Sequence, residues 1–221
     1  MSLFKLAVLI SGSGSNLQAV IDAIENGSIK NAKIALVIST RQEAFGLERA
    51  KKNGISNMVI DRDNTPELLK ALDSYNIDGV VLAGYLAVLP PEVVNKYIGK
   101  IINIHPALLP MFGGKGFYGI RVHEAVLACG VKYSGATVHI VDCGIDTGAP
   151  LVRGVVPVLA EDTAEDLQKR VLNIEHDVLV YAVKAMVENR IEEMAANPAV
   201  ITFDKDKEGV LKFIEELSNQ G

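Results

Sequence analysis

Three polar residues, Asn103, His105 and Asp146, have types and spacing that could do chemistry. Asn103 and His105 end an apolar run that begins at residue 100, and their separation of two positions would place both side chains on one face of a strand. Asp146 follows a second strand-like run, residues 136–141, in a turn flanked by glycines. Because chemistry in a parallel α/β sheet sits beyond the carboxyl ends of the strands, we expect the three groups to share one cleft. An amide, an imidazole and a carboxylate together suit acyl transfer, as an oxyanion donor, a proton carrier and a group that tunes the carrier.

Each of these residues also has a purely structural interpretation. His105 could belong to a buried hydrogen-bonded pair in a turn fixed by Pro106 and Pro110, and Asp146 could form an Asx turn. If Asp146 instead faces His105, its charge favours the imidazolium form and raises the pKa of His105 above about 6.5. The sequence then predicts that His105 donates a proton near neutral pH.

A glycine-rich turn near the start of the chain is a candidate anion site. Residues 6–10 are a short apolar run, the turn SGSGSN follows at residues 11–16, and apolar positions from Leu17 onward have helical spacing. A strand, a glycine turn and a helix aim free backbone N–H groups at an anion. Leu17 replaces the third glycine of the dinucleotide fingerprint, so a single phosphate fits better than a nicotinamide cofactor. A plain strand-to-helix turn is the alternative.

The remaining histidines and the common catalytic motifs add less. His123 is predicted to lie at the surface or in a cleft wall, and His139 to hydrogen-bond to a group in the site. Periodicity alone assigns Glu175 and His176 to a solvated helix edge. The sequence has no HxxxH or HExxH spacing, which disfavours a metal site. It has no GxSxG turn and no histidine beside either cysteine, which disfavours covalent catalysis.

The elements that must position these residues indicate an α/β fold. Strand and helix patterns alternate from residue 6 to residue 104, which predicts a Rossmann-like, mostly parallel twisted sheet flanked by helices. Residues 133–141 alternate in polarity, which suggests an antiparallel strand or one with an exposed face. A long helix begins near residue 163 and should turn Val178 and Tyr181 inward. We expect one domain over residues 1–221, with residues 198–221 as a C-terminal extension, a short strand and a helix, whose role is unassigned.

Length and composition narrow the classes of function. The chain has 221 residues, 49% of them hydrophobic, and a formal net charge of -5. No cluster of basic residues stands out, so nucleic-acid binding is disfavoured. No apolar run approaches the roughly 20 residues that a membrane span needs, and no signal peptide is evident. Cys129 and Cys143 form no CxxC pair and are expected to be reduced. These features predict a cytoplasmic protein that binds neither nucleic acid nor a membrane, and they leave a monomer and a homodimer both open.

Four stretches in order carry a resemblance to a known family. They are residues 11–17 (SGSGSNL), residues 82–85 (LAGY), residues 103–106 (NIHP), and residues 138–148, which begin Val-His and end Asp-Thr-Gly. Together they resemble the phosphoribosylglycinamide formyltransferase family, the folate-dependent enzymes of purine synthesis. The match runs from about residue 6 to residue 180. It implies the formyltransferase fold and transfer of a formyl group from 10-formyltetrahydrofolate, as co-substrate, to the glycine amine of the phosphoribosyl substrate, without a metal.

The resemblance also implies roles for individual residues. The family's catalytic Asn, His and Asp match Asn103, His105 and Asp146. Its phosphate-binding residues match Gly14, Ser15 and Asn16, and its ribose-binding Glu matches Glu175. The resemblance therefore implies a functional role for Glu175, which periodicity alone does not. Its folate-binding residues match Leu86, Ala87, Val88, Leu89 and Asn103, and residues 141–146 would form a wall for the pterin.

The chain departs from the family in three places. Ala107 stands where serine is common, and the proline after Asp146 is shifted by one position. Residues 61–66 lack a clear counterpart of the family's folate-contacting arginine, and this role is not assigned to Arg62.

Other proteins share some of these motifs. Methionyl-tRNA formyltransferase and formyltetrahydrofolate hydrolase carry similar Asn-His-Pro and Asp elements. A phosphate-binding module without catalysis is the alternative from another class.

Overall fold

The structure is a computed structural model that describes residues 3–202, 204 and 206–218. Its strands are β1 (Phe4–Ile10), β2 (Ala32–Ser39), β3 (Asn57–Val59), β4 (Gly79–Leu82), β5 (Ile101–His105), β6 (Tyr133–Ile140), β7 (Pro150–Pro157) and β8 (Ala199–Thr202). Its helices are α1 (Ser15–Glu25), α2 (Phe45–Lys52), α3 (Thr65–Ser74), α4 (Pro91–Lys96), α5 (Ile120–Cys129), α6 (Ala164–Val187), α7 (Ile191–Ala196) and α8 (Lys207–Ser218).

In the described part of the chain, the strands form one sheet in the order β3-β2-β1-β4-β5-β6-β7-β8. The strands β1 to β5 run parallel, β6 is antiparallel to β5 and β7, and β8 is parallel to β7. The predicted mostly parallel sheet flanked by helices is therefore confirmed. The strand order reverses between β1 and β4, which is the point where ligands bind in open α/β sheets. The glycine turn after β1 and the polar end of β5 both lie next to it.

Helix α6 packs its apolar stripe on the sheet. It begins at a capping box in which the Thr163 hydroxyl accepts from the Asp166 backbone N–H, while the Asp166 carboxylate accepts from that of Thr163. Val178 is buried, as the spacing predicts. Tyr181 remains 39% exposed, because the buried face of this turn is already filled by Val178 and Ala182. The inward orientation predicted for Tyr181 was wrong.

Strand β6 confirms one prediction and corrects another. It is antiparallel to both neighbours, as the alternation suggested, but its residues are buried on both faces from Tyr133 to His139. Ala136 and Val138 pack in the same core cluster as the α6 stripe. On the opposite face Tyr133 packs with α8, and Thr137 hydrogen-bonds to the loop after β5. Thr137 and His139 are buried because they hydrogen-bond to the loop after β5 and to Asn103 rather than to solvent.

The C-terminal segment joins the sheet instead of trailing from it. Strand β8 pairs with β7, and α8 packs Val210, Ile214 and Leu217 against Leu108 in a separate apolar cluster. The predicted short strand and terminal helix are thus present in the described residues. That residues 1–221 form one domain stays a prediction. No helix in the described ranges combines the length and the apolar composition that crossing a bilayer requires.

Candidate active site

A cavity of about 660 Å³ opens at the carboxyl ends of β1, β4 and β5. It is lined by the turn after β1, the loop after β4, the polar end of β5, a glycine-rich loop before α5, the turn after β6, and one face of α6. Every residue that the sequence assigns to the site lines this cavity, namely Gly14, Ser15, Asn16, Leu86, Ala87, Val88, Leu89, Asn103, His105, Asp146 and Glu175. This volume lies within the range of small-molecule sites.

Strand β5 delivers Asn103 and His105 to the cavity from one face, as their spacing predicted. His105 is only 4% exposed. Its Nε2 lies 2.8 Å from the carbonyl oxygen of Phe112, which can only accept, so Nε2 carries a proton. Its Nδ1 lies 3.4 Å from Oδ2 of Asp146. The neutral ring is therefore fixed as the Nε2–H tautomer, and Nδ1 is the nitrogen that gains or loses a proton.

The protonation state of His105 differs from the expectation. Burial lowers the pKa of His105 below its ordinary 6.5, and the repulsion of His139 adds to this. Asp146 and the Phe112 carbonyl act in the opposite direction, as predicted, but do not overcome the burial. The prediction that Asp146 raises the pKa of His105 above 6.5 was therefore wrong in its net result. His105 is neutral near pH 7 in the unliganded protein and is ready to accept a proton at Nδ1.

Asn103 is held by His139, which faces it from the neighbouring strand. Nδ1 of His139 donates to the carbonyl oxygen of Ile140 at 2.8 Å, which leaves Nε2 to accept from Nδ2 of Asn103 at 3.0 Å. The second Asn103 N–H points to Oδ1 of Asp146 at a long 3.4 Å. One N–H thus fixes the amide, while the other is weakly bound and available to a ligand oxygen. The predicted hydrogen-bonding role of His139 is confirmed.

Asp146 joins these groups to the glycine-rich loop. It adopts a left-handed φ of 58°, and its carboxylate accepts from the backbone N–H of Gly114 at 2.9 Å. Burial alone would raise the pKa of Asp146, but its interactions with His139, with His105 and with the Gly114 backbone N–H together lower it. Asp146 is therefore an anion at neutral pH, placed to pair with His105 as soon as the imidazole takes a proton.

The glycine turn has the geometry of an anion site. Gly14 precedes the first turn of α1 with φ at 70°, and a Cβ on it would come within 2.6 Å of the Cα of Gly46. The guanidinium of Arg49 donates to the Ser13 carbonyl at 2.9 Å and so holds the turn from outside. The first N–H groups of this 11-residue helix have no acceptor within the helix, and Gly14, Ser15 and Asn16, which begin it, line the cavity.

A buried contact connects this turn to α6. Nδ2 of Asn16 donates to Oε2 of Glu175 at 2.7 Å, while Oδ1 of Asn16 is buried without a partner among the described residues. Burial raises the pKa of Glu175 to about 7, although the Asn16 hydrogen bond opposes this. The solvated position that periodicity alone gave Glu175 was wrong, because helix α1 packs over this part of α6.

Glu175 predicts a dependence of stability on pH. A carboxyl whose pKa rises from 4.5 to about 7 on folding contributes stability that is present below pH 4.5 and is lost as the pH rises through 7. The loss amounts to about 3 kcal/mol. In Glu175→Gln, which can still accept from Asn16, the free energy of unfolding is expected to fall less between pH 5 and pH 8. Denaturant titrations at both pH values measure this, with Glu124→Gln, a change at an exposed position of α5, as the control. Parallel pH profiles for the wild type and Glu175→Gln would contradict the assignment.

The loop after β4 forms an apolar wall of the cavity. Leu86 and Val88 are 54% and 61% exposed, whereas Leu89 is buried and anchors the loop. The backbone N–H of Leu86 donates to the Ser11 hydroxyl at 3.0 Å, which connects this wall to the glycine turn. Ile145 lines the cavity as well and is 41% exposed. Exposed apolar side chains around a cleft mark a place where an apolar part of a ligand binds.

His123 lies buried in the cavity wall, which is one of the two positions that the sequence predicted for it. Burial, helped by the repulsion of His105, lowers its pKa to about 4. Other groups in the cavity had no signal in the sequence. The Phe112 carbonyl and the Gly114 N–H act through the backbone, which residue types do not reveal. Arg62 lies outside the residues that line the cavity and pairs with Asp63 at 3.7 Å. Among the described residues, no group of three or more His, Cys, Asp or Glu side chains is placed to hold a metal.

Comparison with known proteins gives a consistent result. Residues 4–183 match the formyl transferase family. The chain is similar to the chloroplastic phosphoribosylglycinamide formyltransferase of Arabidopsis thaliana, with 44% identity over 196 residues, which is 85% of this chain and 67% of that protein. It is also similar to the crystal structure of phosphoribosylglycinamide formyltransferase from Anaplasma phagocytophilum, with 37% identity, a TM-score of 0.78 and coverage of 85% of this chain and 89% of that chain. A formyltetrahydrofolate deformylase from Pseudomonas syringae is similar at 26% identity, with a TM-score of 0.78 and coverage of 86% of this chain and 63% of that one.

Proposed function

The chain belongs to the formyl transferase family and is a folate-dependent formyltransferase, and from this premise we propose its two substrates. The formyl donor is 10-formyltetrahydrofolate. The acceptor is the amino group of 5′-phosphoribosylglycinamide, so the reaction is a step of de novo purine (IMP) biosynthesis. The observation that carries the proposal is one cavity that holds both the Asn103, His105 and Asp146 cluster and a helix N-terminus fit for a phosphate.

The acceptor enters from the glycine turn. Its phosphate takes the free N–H groups at the start of α1, between Gly14 and Asn16, where the helix dipole favours an anion. Its ribose hydroxyls hydrogen-bond to Asn16 and Glu175, either in addition to the contact between these two side chains or in place of it. A ribose hydroxyl thereby donates to Oδ1 of Asn16, which is buried without a partner among the described residues. This arrangement directs the glycine amine toward β5, where Asn103 and His105 lie.

The folate lies along the opposite wall. Its pterin binds between the loop that carries Leu86, Ala87, Val88 and Leu89 and the turn of residues 141–146. The exposed Leu86 and Val88 side chains cover the apolar part of the ligand, and backbone groups of the same loop meet its polar edges. The formyl group then faces Asn103 and lies between the donor and acceptor halves of the cavity.

The chemistry follows from the tautomer and the charges. The amine attacks the formyl carbon, and negative charge develops on the formyl oxygen. The weakly bound N–H of Asn103 stabilises that oxygen, a contribution of about 3 kcal/mol for one such donor. The amine releases a proton, and Nδ1 of His105 accepts it directly or through a water molecule. Asp146 stabilises the imidazolium that forms. His105 then returns the proton to the departing nitrogen of the folate as the tetrahedral intermediate collapses.

Positioning contributes the remainder of the rate. Two substrates held with their reacting atoms in contact convert a bimolecular step into a unimolecular one, which accounts for roughly 7–11 kcal/mol of a barrier in favourable cases. The connection from Ser11 to Leu86 fixes the distance between the phosphate turn and the folate wall.

Two other acceptors would use the same folate site. Water would make the chain a hydrolase, like the deformylase that it resembles at lower identity, and methionyl-tRNA would require an RNA-binding surface. The glycine turn with Asn16 and Glu175 supports a small phosphorylated acceptor over both. The net charge of -5 also disfavours tRNA. We propose that the protein is located in the cytoplasm. The alternative is a plastid, because the Arabidopsis relative is chloroplastic.

The acceptor is tested by measuring the release of tetrahydrofolate from 10-formyltetrahydrofolate. Parallel reactions contain phosphoribosylglycinamide, methionyl-tRNA, or water alone as acceptor. Release that depends on phosphoribosylglycinamide is expected. Equal release in water alone would assign the chain to the hydrolases, release with the tRNA would assign it to that formyltransferase, and no release in any reaction would overturn the proposed function.

A further inference from the structure

A row of side chains crosses the sheet beside His105. In the strand pairing, His105 of β5 lies opposite Thr137 of β6, Thr137 lies opposite Arg153 of β7, and Arg153 lies opposite Val200 of β8. Residues directly opposite each other in a sheet project from the same face. His105, Thr137 and Arg153 therefore point to one side, and all three are buried.

The chain that follows His105 folds back over this row. The Thr137 hydroxyl donates to the carbonyl of Ala107 at 2.7 Å and accepts from the backbone N–H of Leu109 at 3.1 Å. Nε and Nη2 of Arg153 both donate to the carbonyl of Leu109, at 3.3 and 3.2 Å. His105 itself donates to the carbonyl of Phe112 at 2.8 Å. Each side chain of the row thus holds one part of the loop formed by residues 106–112.

Arg153 is an unusual residue to place there. It is only 6% exposed, and burial lowers its pKa, with no carboxylate among the described groups acting to raise it. A buried guanidinium without an anionic partner costs stability, and an apolar side chain of similar length would fill this place on a core strand at lower cost. Its two hydrogen bonds go to a single backbone carbonyl, three residues before the carbonyl that binds His105.

The segment beyond the family match keeps Arg153 buried. Residues 4–183 match the family, whereas β8 and α8 lie after them. Strand β8 pairs alongside Arg153 through Val200, and α8 packs on Leu108, which precedes the carbonyl that Arg153 binds. Without β8, β7 would be the edge of the sheet, and water would compete for the guanidinium. This gives the C-terminal extension a connection to the loop that holds the catalytic imidazole.

We propose that Arg153 is a positioning residue for catalysis: by holding the Leu109 carbonyl it fixes the loop of residues 106–112, so that the Phe112 carbonyl keeps His105 in the Nε2–H tautomer with Nδ1 free to accept a proton. The inference rests on the proposed function, because it assigns to His105 the role of proton carrier. Its effect is on the fraction of protein molecules whose His105 is correctly oriented, so it acts on kcat rather than on substrate affinity.

The test compares Arg153→Met with Val152→Ala. Methionine has a similar length but no donor, while Val152 is the neighbouring residue on β7 and is buried in the core of the opposite face. For Arg153→Met we expect kcat per folded molecule to fall by about 10- to 100-fold with KM little changed, the size that an ångström-scale misplacement produces. Val152→Ala is expected to lower the melting temperature while its kcat stays at the wild-type value.

A second readout does not depend on activity. In protein labelled with 15N-histidine, His105, assigned by the signal missing in His105→Ala, should show the Nε2–H tautomer in the wild type and a mixture of tautomers in Arg153→Met. Arg153→Lys, which keeps the charge but offers a single donor centre, should fold and show a smaller change of the same kind. Wild-type kcat and an unchanged His105 signal in Arg153→Met, or in Arg153→Lys if the methionine variant does not fold, would overturn the proposal. An equal loss of kcat in Val152→Ala would also overturn it. A wild type without formyl transfer would instead refute the proposed function, whatever the tautomer.

Discussion

His105→Ala is expected to reduce kcat for formyl transfer by roughly 100- to 10,000-fold, the range over which a positioned proton carrier contributes. The imidazole is the group in the cavity whose Nδ1 is free to take the proton of the attacking amine, because its Nε2 is committed to the Phe112 carbonyl. Without it, the amine must lose its proton to water, while Asn103 remains the donor to the formyl oxygen. Single-turnover kinetics at saturating substrates measure the loss directly.

The matched control for this variant is His176→Ala. His176 also has a pKa lowered by burial, but it lies on α6 outside the residues that line the cavity. We expect it to keep wild-type kcat. Retained turnover in His105→Ala, or equal losses in the two variants, would contradict the role given to His105.

Asp146→Asn should have the second-largest effect, a loss of roughly 100-fold in kcat accompanied by a displaced pH profile. The Asp146 carboxylate raises the pKa of His105 against the effect of burial, so its neutralisation lowers that pKa further. The acidic limb of kcat/KM, which reports the protonation of His105 in the free enzyme, should move to lower pH. The rate falls because the imidazolium that forms during the reaction loses its counter-charge.

The control for Asp146→Asn is Asp162→Asn, which neutralises another carboxylate with a lowered pKa, outside the cavity. Asp162 also has a lowered pKa, which a hydrogen bond from Arg170 causes, and it does not line the cavity. Asp162→Asn is expected to lower the melting temperature and to leave the acidic limb in place. A normal rate with an unmoved limb in Asp146→Asn would show that Asp146 does not act on His105.

Much of the fold could be predicted because its signals are local. The apolar runs of β1, β4 and β5 and the glycine turn before α1 each specify their own element, and together they imply a parallel sheet with a site at its carboxyl edge. The four short stretches that carry the family resemblance lie at this edge, and the family match over residues 4–183 together with the similar phosphoribosylglycinamide formyltransferases confirms that resemblance. The juxtaposition of Asn103, His105 and Asp146 followed from strand ends alone.

Three of the errors, those on His105, Glu175 and strand β6, have a common physical origin, which is burial by distant parts of the chain. Nothing near His105 in sequence reveals that it is almost fully buried, so the attraction of Asp146 was given too much weight against burial. Glu175 looked solvated because its contact with Asn16 spans 159 positions. Tyr133 to His139 looked half exposed because the loop after β5 and helix α8 cover them from elsewhere. Local patterns predict elements well, but they do not report what packs on them.

Backbone groups were equally hidden. The Phe112 carbonyl sets the tautomer of His105, and the Gly114 N–H binds Asp146, yet neither depends on a side chain. Arg153 gave no signal either, because a lone arginine in an apolar strand has no motif. These contacts emerge only when the loop of residues 106–112 is seen folded over β6 and β7.

Formyl transfer to the glycine amine is tested most directly by following the formyl carbon itself. The chain is supplied with 10-formyltetrahydrofolate that carries 13C in the formyl group, together with phosphoribosylglycinamide, and the product is observed by NMR. We expect the label to appear in an N-formylglycinamide carbonyl at the same rate as tetrahydrofolate is released. Label that appears as free formate at that rate, with none in the glycinamide, would contradict it, because the site would then activate water rather than the amine.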